Sequence, residues 1–95
     1  MPCYLYILRS LKDGNLYTGI AVDVGERFRY HSRGGSRSTR HRLPLELVYV
    51  EEHADRSAAA KRERQLKSLE GGAEKHSIVA GLTAEDIART QERYL

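Results

Sequence analysis

Two apolar segments separated by an Asp-Gly turn dominate the N-terminal third of the chain. Cys3 to Arg9 reads CYLYILR and Leu16 to Val22 reads LYTGIAV, with Lys12-Asp13-Gly14-Asn15 between them. Tyr, Ile and Val fit the pleated surface of a strand, and Asp-Gly is a strong signal for a tight turn. The chain is thus committed early to an antiparallel hairpin. With Asp13 and Gly14 as the two loop residues, Tyr6 falls opposite Ala21 and Tyr17 opposite Ser10. Strand side chains alternate, so Tyr4, Tyr6, Tyr17 and Gly19 then share one face, and a slip of one residue would separate them. Gly19 marks either a bulge or a place where a backbone or ligand comes close, because glycine otherwise weakens a strand interior.

Asp23 is placed to cap a helix, with Glu26 three residues on completing a capping-box-like pair. Gly25 weakens the first turn. Val24 and Phe28 form its inward stripe, and Arg27 and His31 form an adjacent one that looks along the sheet edge. Gly34-Gly35 ends the helix within a flexible basic turn, Ser32 to Ser38. Leu45 to Val50 is a third strand, opened by Pro44, and its apolar residues fall on both faces, which calls for helices on both sides of the sheet.

Asp55 or Ser57 caps a second helix running to about Leu69, with Ala59, Leu66 and Leu69 or Glu70 inward. Glu63 lies on this apolar stripe. An unpartnered carboxylate there would cost several kcal/mol, so it must be paired, protonated or bound to a cation. Lys61, Arg62, Arg64 and Lys67 fall on other faces and read as solvated surface. Gly71-Gly72 breaks the helix, Ala73 to Ala80 forms a short third one, and Thr83 with Asp86 caps a last, whose Ile87, Ala88 and Tyr94 pack back. Without repeats or a long linker, residues 1–95 read as one α+β domain with a small antiparallel sheet, and 83–95 as a C-terminal helix packed on it.

Composition narrows the function. No run of about 18 apolar residues occurs, which excludes a membrane-spanning helix. The N-terminus lacks the charged start and cleavage site of a secretory signal, and the lone Cys3 forms no internal disulfide, so a cytoplasmic location is expected. Charge is distributed unevenly. From Arg27 to Leu45 there are six arginines and two histidines and no acid. The arginine fork matches phosphate oxygens, so this block reads either as a polyanion-binding segment or as a solvated basic loop.

Taken together, Tyr4-Leu5-Tyr6, Tyr17-Thr18-Gly19, Arg27 in the helix opened by Asp23 and Glu63 in a later helix resemble the GIY-YIG nuclease family. The name-giving tripeptides occur here as YLY and YTG; only the last tyrosine of the first and the outer Tyr and Gly of the second match the strict pattern. The Tyr17-Thr18-Gly19-Ile20 motif, the GxRxTR-like loop from Gly35 to Arg40 and the RSAAAKRERQLK helix are similar to the compact single-domain bacterial branch. The resemblance covers roughly residues 3 to 80.

It implies a three-stranded antiparallel sheet flanked by helices and metal-dependent hydrolysis of phosphodiester bonds. Carried over by position, Tyr6, Tyr17, Arg27, His31 and Glu63 form the catalytic site, and Gly19 lets the scissile phosphate approach. Glu63 holds Mg²⁺ or Mn²⁺, and Arg27 neutralises charge on the phosphate. A free tyrosine titrates near pH ~10 and a histidine far closer to neutrality. Tyr17 is taken as the base with Tyr6 orienting the water or phosphate, and His31 is the alternative base or a proton relay. Arg33, Arg37, Arg40 and Arg42 would hold the nucleic acid. Ile20 stands where some larger relatives carry a lysine, so one cationic contact is missing. No appended recognition domain is apparent, so cleavage of DNA is expected to be structure-guided or non-specific, in repair or recombination. A binding module without efficient catalysis, and a nuclease subunit of a larger complex, are the alternatives; a protein partner or a homodimer stays open.

Overall fold

The computed structural model describes the backbone of residues 1–95 and the side chains of all but Leu69 and Glu70. Strands β1 (Cys3–Ser10), β2 (Leu16–Ala21) and β3 (Leu45–His53) form one antiparallel sheet in the order β2-β1-β3. Helices α1 (Val24–Ser32), α2 (Arg56–Lys67), α3 (Leu69–Ala80) and α4 (Ala84–Tyr94) surround it, and a single 3-10 turn, Arg40–Arg42, precedes β3. This is the expected α+β fold.

The hairpin register differs from the expected one by two residues. Tyr6 pairs with Gly19 and Leu8 with Tyr17. The loop has four residues, because Ser10 N–H reaches the Asn15 carbonyl at 2.9 Å and Gly14 N–H reaches the Ser10 carbonyl at 2.8 Å. The Asp13 carboxylate accepts from Asn15 N–H at 2.9 Å, and Gly14 adopts a φ of 76°. Asp13-Gly14 therefore closes a wider turn than a two-residue one. Since the shift is even, every side chain keeps its face.

One face of the sheet packs Tyr6, Leu8, Leu45 and Leu47 against Val24 and Phe28 of α1. The other packs Leu5, Ile7 and Val48 against Leu66 of α2 and Val79 of α3. A register break opposite Ile7 and Leu8 leaves Val48 unpaired, which turns Leu45 and Leu47 to the first core while Val48 and Tyr49 serve the second. Helix α4 straddles the β3 edge. Its Ile87 enters the second core, and Tyr94 enters the first with its ring edge-on to Tyr4 at 5.6 Å. Gln91 donates to the Leu47 carbonyl at 3.1 Å, satisfying an edge acceptor. Ala88, expected to pack inward, is exposed, because Ile87 and Tyr94 already fix the helix face.

Helix caps are mostly as expected: Asp23 accepts from Glu26 N–H, Asp55 from Ala58 N–H, and Thr83 with Asp86 forms a reciprocal capping box. The break between α2 and α3 falls at Ser68 and not at Gly71-Gly72. The Ser68 hydroxyl caps α3 through Gly71 N–H at 3.0 Å and donates to the Gln65 carbonyl at 2.7 Å. Gly71 sits inside the first turn, where a Cβ would collide with that Gln65 carbonyl; the glycine permits the two helices to abut. Ala59 and Leu66 are fully buried as expected, while the inward placement of Leu69 or Glu70 lies outside the described side chains.

Arg62, expected as solvated surface, is a tertiary clamp. It donates two bonds from Nε and Nη2 to the Glu51 carboxylate at 3.1 Å and one from Nη1 to Glu74 at 2.8 Å, tying β3 to α2 and α3. Tyr49 and His53 also contact Glu51, at 2.7 and 3.0 Å. Burial alone would raise the Glu51 carboxyl, but the bonds from Arg62, Tyr49 and His53 together with the Arg62 charge hold it below its ordinary value.

Candidate active site

The shared face of the hairpin places Tyr6 and Tyr17 beside α1. Tyr6 lies across Gly19: a Cβ there would stand 2.5 Å from the phenol oxygen and 2.6 Å from Cζ. The space expected to admit a phosphate is thus filled by the Tyr6 ring, and the glycine seats the tyrosine. So seated, the buried phenol reaches His31 Nε2 at 3.0 Å. His31 is fully buried, and its Nδ1 lies 2.8 Å from the hydroxyl of the equally buried Thr39. The Tyr17 ring packs edge-on against His31 at 5.1 Å and lies 6.5 Å from Tyr6.

Arg27 and His31 do not share a stripe in effect. His31 points inward with Val24 and Phe28, whereas Arg27 is exposed and stacks 4.6 Å over the Tyr30 ring. The imidazole is fully enclosed, which weighs against its taking a proton directly from an attacking water. Burial, and next the Arg27 charge, push the His31 pKa down, which favours neutral imidazole. Burial, and next Tyr17, push the Tyr6 phenol up to about 12; Arg27 opposes this rise and the Glu63 carboxylate adds to it.

Glu63 is half-buried and comes close enough to act on Tyr6 electrostatically from α2. Its partner is Lys67, one turn on, with Nζ 3.2 Å from Oε2. Lys67 Nζ also lies 5.7 Å from the centre of the Tyr17 ring. Thus four elements bring Tyr6, Tyr17, Arg27, His31 and Glu63 together. Among the described residues no group of three His, Cys, Asp or Glu side chains converges to hold a metal. The donor set still fits one class of ion. Mg²⁺ and Mn²⁺ prefer hard oxygen ligands, and Mg²⁺ is commonly held by one or two carboxylates with waters and substrate phosphate oxygens.

The basic segment is held at residues 39–42, just beyond the turn expected to be flexible, Ser32 to Ser38. Thr39 anchors it to His31, and the Arg42 carbonyl accepts from Ser10 Oγ at 2.6 Å, while Lys12 Nζ donates to the His41 carbonyl at 3.2 Å. Arg33, Arg37 and Arg40 are exposed along it, and Arg42 is half-buried. A groove of ≈ 550 Å³ between the end of β2 and α1 contains Arg27, Arg33 and Arg56. Arg37, Arg40 and Arg42 do not line it. Sequence reasoning missed Thr39, Lys67 and Arg56. Thr39 stood within the GxRxTR-like loop and Lys67 four residues after Glu63, which were the signals available.

Comparison with known proteins fits this geometry. Residues 2–76 match the family model described as the GIY-YIG catalytic domain. A UPF0213 protein of Natronomonas pharaonis is 43% identical over 81 residues, covering 84% of this chain and 93% of its own. A UPF0213 protein of Staphylococcus saprophyticus is 44% identical over 67 residues, covering 70% and 80%. The solution NMR structure of a UPF0213 protein from Bacillus halodurans superposes with a TM-score of 0.54 at 32% identity, covering 93% of this chain and 94% of that one.

Proposed function

Since the chain belongs to the GIY-YIG catalytic-domain family, a nuclease fold, we propose that it is a metal-dependent endonuclease that hydrolyses phosphodiester bonds in DNA, with Mg²⁺ or Mn²⁺ held at Glu63. The observation that carries this reading is the Tyr6 phenol 3.0 Å from a buried, neutral His31, with Arg27 and Glu63 beside it. A pure binding surface has no use for an enclosed proton acceptor.

The contacts support a reversal of the two tyrosine roles expected from sequence. Tyr6 is the bridge: substrate binding has to open its 2%-exposed phenol to the attacking water, and as that water gives a proton to the phenol oxygen, the phenol proton passes to His31 Nε2. Its raised pKa suits this, because the phenol stays neutral at rest and no free phenolate has to accumulate. The Tyr17 hydroxyl has no hydrogen-bond partner among the described residues, and it is assigned to orient the phosphate. Arg27 supplies two hydrogen bonds to the phosphoryl oxygens as charge develops there. The water oxygen bonds to phosphorus, the bond to the 3′ oxygen breaks, and that oxygen is protonated from solvent. A divalent cation, when bound, adds Lewis-acid stabilisation of the phosphoryl and departing oxygens.

Arginine contacts along the groove reach backbone phosphates, so binding is expected to follow shape and charge more than base sequence. No helix among the described residues is long and apolar enough to cross a membrane, and a cytoplasmic DNA substrate is proposed. One observation favours a second reading, binding without hydrolysis: Lys67 occupies the Glu63 carboxylate.

One experiment separates the two. Single-stranded, duplex, flap and branched DNA, and RNA, are incubated with the protein in Mg²⁺, Mn²⁺ or a chelator, beside Arg27→Ala and Glu63→Ala. Metal-dependent cleavage of DNA lost in both variants is expected. Salt-sensitive binding by all three proteins, with no cleavage of any substrate by the unmodified chain, would sink the nuclease reading.

A further inference from the structure

The buried Tyr6, His31 and Thr39 side chains form a continuous line of hydrogen bonds whose last member lies on the arginine-bearing loop. Proton accounting fixes its direction. Tyr6 is 2% exposed, and among its hydrogen-bonding partners, His31 and Arg27, His31 Nε2 is the one able to accept the phenol proton. The Arg27 guanidinium beside it is a donor and accepts nothing. A phenol proton turned away from Nε2 would therefore be buried without an acceptor, which native interiors avoid. Nε2 is then unprotonated. A neutral imidazole carries one proton, so it sits on Nδ1 and is donated to Thr39 Oγ1.

We propose that Thr39 is a positioning residue for the reaction: by accepting from Nδ1–H it holds His31 in the tautomer whose free Nε2 takes the proton passed through Tyr6. The inference rests on the nuclease reading given above and adds to it the group that orients the proton acceptor. Thr39 stands to His31 as the buried carboxylate stands to histidine in a Ser-His-Asp triad, but without charge. The neutral partner stabilises an imidazolium less than a carboxylate would, consistent with an acceptor enclosed beside Arg27. The groups facing His31 are Tyr6 from β1, Tyr17 from β2, Tyr30 and Arg27 from α1, and Thr39 from the loop. None is acidic. Thr39 is also the point at which the loop carrying Arg37, Arg40 and Arg42 enters the interior, so the same contact joins the phosphate-binding segment to the acceptor.

The test uses the full chain labelled with ¹⁵N, in which ring nitrogen shifts report the His31 tautomer at neutral pH without any substrate. The Nδ1–H form is expected in the unmodified protein and in Thr39→Ser, which keeps the acceptor. Thr39→Val keeps the shape but cannot accept; it should show Nε2–H or a mixture, and DNA cleavage should fall by about 10- to 100-fold while Thr39→Ser stays within a few-fold of the parent. Dispersed spectra confirm that each variant folds. An Nε2–H or doubly protonated His31 in the unmodified chain overturns the inference, as does an unchanged tautomer in Thr39→Val or equal cleavage by the Val and Ser variants. If the tautomer behaves as stated while the unmodified chain cleaves nothing, it is the nuclease reading that falls, and with it the catalytic purpose assigned to Thr39.

Discussion

Gly19→Ala tests whether the glycine exists to seat Tyr6. The added methyl would stand 2.5 Å from the phenol oxygen and 2.6 Å from Cζ, against the ~3.5–4.0 Å of an ordinary carbon contact. The ring must therefore withdraw by about 1 Å, and a phenol now 3.0 Å from His31 Nε2 loses hydrogen-bonding range. Overpacking costs about 1–3 kcal/mol and a buried donor left without its acceptor a similar amount, while replacing a strand glycine returns about 0.5–1 kcal/mol. Taking the middle of each range, the net loss is about 3 kcal/mol, or about 12–24 °C in Tm for a domain of this size. Thermal and denaturant unfolding followed by circular dichroism measure it. The diagnostic is a double-mutant cycle with Tyr6→Leu, which removes the ring: in that background Gly19→Ala should cost nothing or stabilise, giving a coupling of at least about 1 kcal/mol. Simple additivity, or a Gly19→Ala protein as stable as the parent, would refute the seating argument.

Three further outcomes follow from the contacts. Arg62→Ala leaves Glu51 and Glu74 without their shared cation and should cost about 1.5–3 kcal/mol in denaturant unfolding, with Arg62→Lys restoring only part because an ammonium cannot bridge both carboxylates in one plane; a loss under ~0.5 kcal/mol would remove the clamp from the account. The folded-state pKa values of Glu51 and His31 both lie below their unfolded ones, so their contributions to stability are complete above the unfolded values and vanish on acidification. Unfolding midpoints should therefore decline as pH falls below 6.5 for His31 and below 4.5 for Glu51, Glu51→Gln flattening the second decline and His31→Gln the first; the acid limb of cleavage should likewise lie below pH 6.5. Lys67→Met frees Glu63 and should tighten the half-saturating Mg²⁺ concentration by up to about fivefold, the factor that ~1 kcal/mol of a surface ion pair represents, whereas an unchanged metal dependence would mean that Lys67 does not compete with the cation.

Much of the fold was legible because it rests on local signals. The Asp-Gly turn, the aspartate caps and the Thr83 capping box act within a few residues, and each lies where the sequence puts it. The hairpin register was two residues off because Ser10 Oγ accepts from Lys12 and Asp13 N–H and stabilises a four-residue loop. Side-chain parity, which depends only on odd or even shifts, survived this, and with it the shared face of Tyr6 and Tyr17. The break at Ser68 was missed because paired glycines are the louder signal, although here Gly71 serves close helix packing. Arg62 was missed because two of its three partners, Glu51 and Glu74, lie outside its own helix, where periodicity carries no information.

His31 shows how far the residues alone lead. Arg27 and His31 stand four apart and look equivalent on a helical stripe, yet Val24, Phe28 and His31 are spaced i, i+4 and i+7, the pattern of an inward face. Once the histidine is inside, its two nitrogens cannot both be left without partners. The Tyr6 side of that demand follows from the shared hairpin face. The Thr39 side does not, since it requires the loop after Gly34 to fold back beneath α1, and glycine at a φ of 79° permits that path without announcing it. The burial of one imidazole therefore requires both a donor from the sheet and an acceptor from the basic loop. A single local fact, His31 facing inward, is what joins the segment that would bind phosphate to the group that would take the proton.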